Sequence, residues 1–120
     1  MAKIEHKYSC NIGAAIEVFS GRWKPEIMWH LENGPIRFNT LLKEMDGISQ
    51  KILTQQLKEM QRDGLITRTD YFEKPLRVEY ANTKLAESLR PVFAVLKVWT
   101  NEYGQNVTQA SKLYDDKKKE

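Results

Sequence analysis

Arg37-Phe38-Asn39-Thr40-Leu41-Leu42-Lys43-Glu44-Met45-Asp46-Gly47-Ile48-Ser49-Gln50-Lys51-Ile52-Leu53 is the stretch whose reading decides the fold. Apolar side chains at 38, 41, 42 and 45 have helical spacing. Asp46-Gly47-Ile48 interrupts the pattern, with Gly47 suited to the left-handed position just past a helix end. Ser49 is then placed to cap a second helix, whose apolar positions 53, 57 and 60 share one stripe, and Asp63-Gly64 stops it. Downstream, Leu65 to Phe72 and Arg77 to Asn82 have strand character and are joined by Glu73-Lys74-Pro75-Leu76. Two helices about a tight glycine turn, followed by a hairpin, read as a winged helix-turn-helix: a mainly α fold with a small β-hairpin (α+β). Such a unit commonly lays its second helix in the DNA major groove.

Outward from this centre, the pattern predicts one domain across residues 1–120. Residues 1–9 read as a polar arm, and a first helix runs from about Asn11 to Ser20 with Gly21 as its stop. Pro25 fits the first turn of the next helix, which carries Ile27, Met28 and Leu31 and ends at Asn33-Gly34. After the hairpin, Thr83 is placed to cap a last, long helix. Leu85, Leu89, Val92, Leu96, Trp99 and Tyr103 step along it by fours and threes, the seam of helix-to-helix packing. Pro91 removes a helical hydrogen bond, so a kink or restart is expected there. From Gln105 the pattern fades into a C-terminal tail (105–120), whose end from Asp115 to Glu120 reads as frayed and solvated.

Composition narrows the function classes. The 120 residues carry 19 Lys and Arg against 16 Asp and Glu, a formal charge of +3, which permits a nucleic-acid partner without requiring one. No apolar run is long enough to span a membrane and no signal-peptide pattern stands at the start, so a cytoplasmic protein is expected. A single cysteine, Cys10, allows no disulfide within the chain.

On a helical wheel of residues 49–62, Leu53, Leu57 and Met60 face inward, while Gln50, Lys51, Thr54, Gln55 and Lys58 fall on the other side. These types suit a major-groove reader. Glutamine pairs bidentately with adenine, lysine reaches guanine, and threonine touches a thymine methyl or a phosphate. Arg37, Ser49 and the hairpin cations Arg68, Lys74 and Arg77 complete the expected DNA contacts, the hairpin ones at phosphates or in the minor groove. Arg77 has a second reading, as a partner of Glu73 or Glu79 that holds the wing's shape. Any amphipathic helix has a polar face, but this one lacks an acid from 50 to 58 in a chain of otherwise mixed charge. The alternative is a winged helix that docks a protein.

Gly21-Arg22-Trp23-Lys24, Gly34-Pro35-Ile36-Arg37-Phe38, Gly47 to Leu57, Asp63-Gly64-Leu65-Ile66 and Arg77-Val78-Glu79-Tyr80 follow in an order that resembles the HxlR-type transcriptional regulators, relatives of the MarR winged-helix proteins. The resemblance covers about residues 10 to 104. It implies a homodimer on roughly palindromic operator double-stranded DNA, formed through the N- and C-terminal helices, with the helix from Ser49 as reader and the hairpin as wing. It also implies a role for Cys10, since many members carry a cysteine just ahead of the first helix and in some it senses electrophiles, quinones or oxidants. Asn11 follows it where the family often has proline.

Cys10 has a setting that lowers a thiol pKa, with Lys3, His6 and Lys7 nearby and a helix start beside it. The plainer reading is a small residue that packs the arm. His6 and His30 stand isolated, so no metal is expected, and Trp23 and Trp29 read as core. Trp99 and Tyr103 either continue a dimer seam with Leu89, Val92 and Leu96 or line a pocket for an aromatic effector. No phosphate loop, triad or paired acids point to an enzyme or a cofactor. The expected protein is a dimeric DNA-binding regulator, a repressor rather than an activator.

Overall fold

The computed structural model describes residues 10–118. The expected arm at residues 1–9, with Lys3, His6 and Lys7, lies outside the described residues. The chain falls into two compact units that divide after Glu87.

The first unit contains helix α1 (Asn11–Phe19), helix α2 (Lys24–His30) closed by a 3-10 turn at Leu31–Asn33, strand β1 (Ile36–Arg37), helix α3 (Phe38–Glu44), helix α4 (Gln50–Arg62), strands β2 (Ile66–Asp70) and β3 (Val78–Asn82), and a single turn of helix, α5 (Lys84–Glu87). Helix boundaries follow the local chemistry. Pro25 sits in the first turn of α2, where its missing N–H breaks no bond. The Ser49 hydroxyl accepts the Ile52 N–H at 3.1 Å and opens α4. Gly47 at φ 86° and Gly64 at φ 79° take the left-handed conformation that ends α3 and α4.

The core forms where the stripes of α2, α3 and α4 meet. Ile27, Met28, Leu31, Leu41, Met45, Leu53, Leu57 and Met60 are buried together with Leu65 and Ile66 at the start of the hairpin and Ala86 of α5. The hairpin is three-stranded rather than two-stranded, in the order β1-β3-β2, all antiparallel. Ile36 pairs with Tyr80 and Arg37 with Glu79, so the segment just before α3 is sewn to the wing. Two residues of β1 carry too little pattern to announce a strand. Asn82 extends the tie by donating its side-chain amide to the Met28 carbonyl at 2.9 Å.

Two expectations need correction here. Trp29 is 61% exposed, because α2 is buried through Ile27 and Met28 and the next position points away. His30 is not isolated: its ring nitrogens lie 3.4 Å from a Glu44 oxygen and 3.9 Å from one of Glu26, a residue one turn earlier, and Trp29 meets the ring edge-on at 4.8 Å. No His, Cys, Asp and Glu group suited to a metal occurs among the described residues.

The second unit is helix α6 (Arg90–Lys118), 29 residues. The Thr83 hydroxyl accepts the Ala86 N–H at 3.3 Å, so it caps α5 and not the long helix. Pro91 becomes the second residue of α6, where it costs no helical bond, and the expected restart falls just ahead of it. The expected C-terminal tail from 105 is helical as far as Lys118, including Asp115 to Lys118 where fraying was expected. Val107, Ala110 and Tyr114 prolong the steps of four and three beyond Tyr103. No helix among the described residues is long and apolar enough to cross a membrane.

Candidate nucleic-acid interface

Helix α4 presents two faces with opposite chemistry. Leu53, Leu57 and Met60 are buried, which fixes its rotation, and Gln50, Lys51, Gln55 and Lys58 are thereby turned to solvent. Thr54 stands between them half-buried, its hydroxyl donating to the Gln50 carbonyl at 2.8 Å. Lys51 and Lys58 form no ion pair among the described residues. Arg62 falls on the same strip, but Asp63 holds its guanidinium through two bonds of 3.0 and 3.3 Å.

One contact of this helix was not legible in the sequence. Lys24, at the first position of α2, is buried and reaches Glu59 of α4 with Nζ–Oε2 3.1 Å. The pair engages the acid nearest the polar strip of α4 and ties α2 to α4. Arg22, two residues earlier, lies over the Trp23 ring at 4.3 Å from guanidinium carbon to ring centre. A Cβ on Gly47 would be 4.0 Å from one of its guanidinium nitrogens, so Arg22 stands beside the turn between α3 and α4. Its proximity to that turn is a product of chain folding, and only the basic-aromatic run Arg22-Trp23-Lys24 hinted at it.

The wing is stiffened by its own side chains. The Arg77 guanidinium sits 3.7 Å from the Tyr71 ring centre and 3.2 Å from a Glu73 oxygen, and the Tyr71 hydroxyl donates to Glu79 at 3.2 Å. The Glu73 pair is one of the two contacts that the second reading of Arg77 named. Arg68 stands 4.0 Å from Asp70, and Lys74 at the tip forms no ion pair among the described residues. Arg37 is exposed at the N-terminal boundary of α3 opposite Glu79.

Residues 18–108 match the HxlR-like helix-turn-helix family. The chain belongs to that family. It is 38% identical over 99 residues to the HTH-type transcriptional regulator YkvN of Bacillus subtilis, which spans 82% of this chain and 84% of YkvN. Among solved structures it resembles the redox regulator HypR in its reduced form, with 29% identity, TM-score 0.77, and coverage of 83% of this chain and 99% of HypR. It also resembles the reduced form of the transcriptional regulator YodB from B. subtilis, with 29% identity, TM-score 0.72, and coverage of 80% and 95%. As an HxlR-type protein the chain is a transcriptional regulator with a DNA-binding helix-turn-helix, and not an enzyme.

In this HxlR-type chain Cys10 is exposed and occupies the residue just before α1. The backbone N–H groups of Gly13 and then Ile12, unpaired at the helix start, hold its thiol below the ordinary cysteine value. Helix α1 has no buried residue, and Ile12 and Ile16 are exposed along it. On α6, Val92, Leu96, Trp99 and Tyr103 are exposed, with the two aromatic rings 6.0 Å apart. Leu89 lies just before α6, its carbonyl accepting the Phe93 N–H at 2.9 Å. A shallow depression on α6 is lined by Thr100, Gly104, Gln105, Thr108 and Gln109, and neither aromatic ring takes part in it.

Proposed function

We propose that this HxlR-type regulator binds a roughly palindromic duplex operator as a homodimer and acts as a repressor that releases DNA when Cys10 is modified. The observation that carries the DNA reading is the outward strip of α4, where Gln50, Lys51, Thr54, Gln55 and Lys58 stand without an acid and Glu59 is drawn off by Lys24. Gln55 and Lys51 are the base readers in this scheme, with Ser49, Thr54, Lys58, Arg37, Arg68 and Lys74 at or near the sugar-phosphate backbone. Arg77 contributes by keeping the wing in shape.

Dimerisation is supported by apolar surface that the chain leaves uncovered on both α1 and α6. Ile12 and Ile16 on one, and Val92, Leu96, Trp99 and Tyr103 on the other, suit a self-complementary contact. A symmetric pair would set its two readers about 34 Å apart, one helical turn of DNA. Cys10 adjoins α1, so a bulky adduct there displaces one subunit against the other and spoils the register at both half-sites. The chemistry is nucleophilic: the thiolate adds to an electrophilic carbon to give a thioether, or attacks a disulfide and expels a thiolate. The redox regulator HypR and YodB, each solved in a reduced form, are similar in fold to this chain and support a thiol-based signal.

Titration of fluorescent duplex DNA at several salt concentrations tests the proposal. A dimer on DNA loses affinity steeply as salt rises, because counterions released from the phosphates drive binding. A protein-docking module shows no duplex affinity at any salt, and that result would discard the reading.

A further inference from the structure

The least covered large apolar side chain among the described residues is not on a helix but at the tip of the wing. Phe72 is 89% exposed, and Leu76, across the same turn, is 71% exposed. Solvent-facing phenylalanine is costly in water, and here the backbone adds to the cost. Phe72 has φ 52°, in the left-handed region that glycine or asparagine normally fills. The conformation is secured by Asp70, whose carboxylate accepts the Phe72 N–H at 2.8 Å. Below the tip, Tyr71, Arg77, Glu73 and Glu79 lock the two strands together, and on the far edge β3 is paired to β1. The hairpin is thus a rigid arm whose end displays Phe72 and Leu76, with the cation Lys74 between them in sequence.

We infer that Phe72 and Leu76 form an apolar wedge that enters the minor groove of the bound duplex and partly unstacks a base step, bending the DNA. The inference rests on the DNA-binding reading of α4 and adds an activity to it. Three features favour DNA over another protein as the occupant. The arm continues directly from the reader helix, since Leu65 N–H bonds the Met60 carbonyl at 2.9 Å and β2 begins at the next residue. The acid in the tip, Glu73, is engaged by Arg77, which leaves Lys74 as the charge offered to phosphates on either side of the groove. And rigid apolar side chains beside cations are what minor-groove proteins use to pry a base step open. A flat protein-docking patch would not need an aromatic ring held on a strained backbone at the end of a braced hairpin.

The test uses the full chain and a 40-base-pair duplex recovered by affinity selection from a randomised pool, with a fluorophore at each end. Anisotropy reads binding and energy transfer between the ends reads bending. The wild type is expected to bind and to shorten the end-to-end distance. Phe72→Ala is expected to bind roughly 10-fold more weakly and to leave the duplex straight, Leu76→Ser to weaken the bend in part, and Phe72→Trp to keep it. Because Phe72 lies outside the core, circular dichroism of Phe72→Ala should match the wild type. A wild-type complex with straight DNA overturns the wedge, as does a Phe72→Ala complex with unchanged affinity and bend. If no duplex is recovered by the wild type at all, the DNA reading of α4 fails first, and the wedge falls with it.

Discussion

Lys24 and Glu59 offer an experiment in which two changes that break the same ion pair should have different costs. The Lys24 side chain is 11% exposed and that of Glu59 31%, with 3.1 Å between the charged atoms. At an effective dielectric of about 20 the attraction at this distance is about 5 kcal/mol, most of it cancelled by withdrawing the ammonium from water. Lys24→Met keeps an apolar stem of similar volume and leaves a carboxylate that water still reaches, so the expected cost is about 1 kcal/mol. Glu59→Ala leaves the ammonium buried without a partner, and that uncompensated charge should cost about 3 kcal/mol. The double variant removes the stranded charge and should return to about 1 kcal/mol, a coupling of about 3 kcal/mol. Lys24→Ala additionally loses three methylenes at about 0.8 kcal/mol each and should cost about 3 kcal/mol or more. Urea denaturation at fixed protein concentration, read as midpoint shifts at constant slope, measures all four. Equal costs for Lys24→Met and Glu59→Ala would refute the reasoning, since they would mean that the ammonium is hydrated in the folded protein.

The other predictions concern function. Lys51→Ala and Gln55→Ala should each lower affinity for a selected duplex by about 1–3 kcal/mol and relax preference at particular base pairs, measured by competition among single-site duplex variants. Lys74→Ala should weaken all duplexes alike and flatten the salt slope by about one phosphate contact per copy; a sequence-dependent loss would count against that role. Arg77→Ala should release Tyr71 and Glu73, so its duplex affinity should fall while hydrogen exchange across Tyr71 and Glu79 accelerates; unchanged exchange would instead make Arg77 a direct phosphate contact. The helix-start amides favour the Cys10 thiolate, so the alkylation rate should rise to half its maximum below the pH of an ordinary thiol, about 8.5, and level off above it. Sedimentation at micromolar concentration should give a dimer, and Trp99→Lys or Leu96→Glu should shift it to monomer; a wild-type monomer that binds duplex tightly would remove the symmetric arrangement.

Much of the fold was written in local pattern. Helical spacing at Leu53, Leu57 and Met60, the cap at Ser49 and the left-handed glycines 47 and 64 act within a few residues of one another, so α3, the turn, α4 and the hairpin could be placed from the chain alone. The outward strip of α4 follows from the same geometry, because burying one stripe of a helix exposes the opposite one. Where tertiary contacts decide, the reading changed. Trp29 looked like core by residue type, yet its neighbours Ile27 and Met28 occupy the interior and turn it to solvent. At the end of the chain the difference is local instead: the charge run from Asp115 read as frayed, yet the helix persists to Lys118.

The chain by itself therefore determined most element types and their order and the two-faced character of α4, all consequences of side-chain spacing and capping over one or two turns. The tertiary structure decided which charges meet. Lys24 finds Glu59 from 35 positions away, Arg77 turns inward onto Tyr71 and Glu73, Arg22 arrives beside Gly47, and β1 pairs with β3 across more than 40 residues. The Lys24–Glu59, Arg22–Gly47 and β1–β3 pairings depend on where packing brings distant positions together, and no local period encodes them, whereas Glu73 lies only four residues from Arg77 and was already a candidate partner in the sequence. These contacts leave Lys24 buried in an ion pair, while Lys51, Lys58 and Lys74 stay exposed.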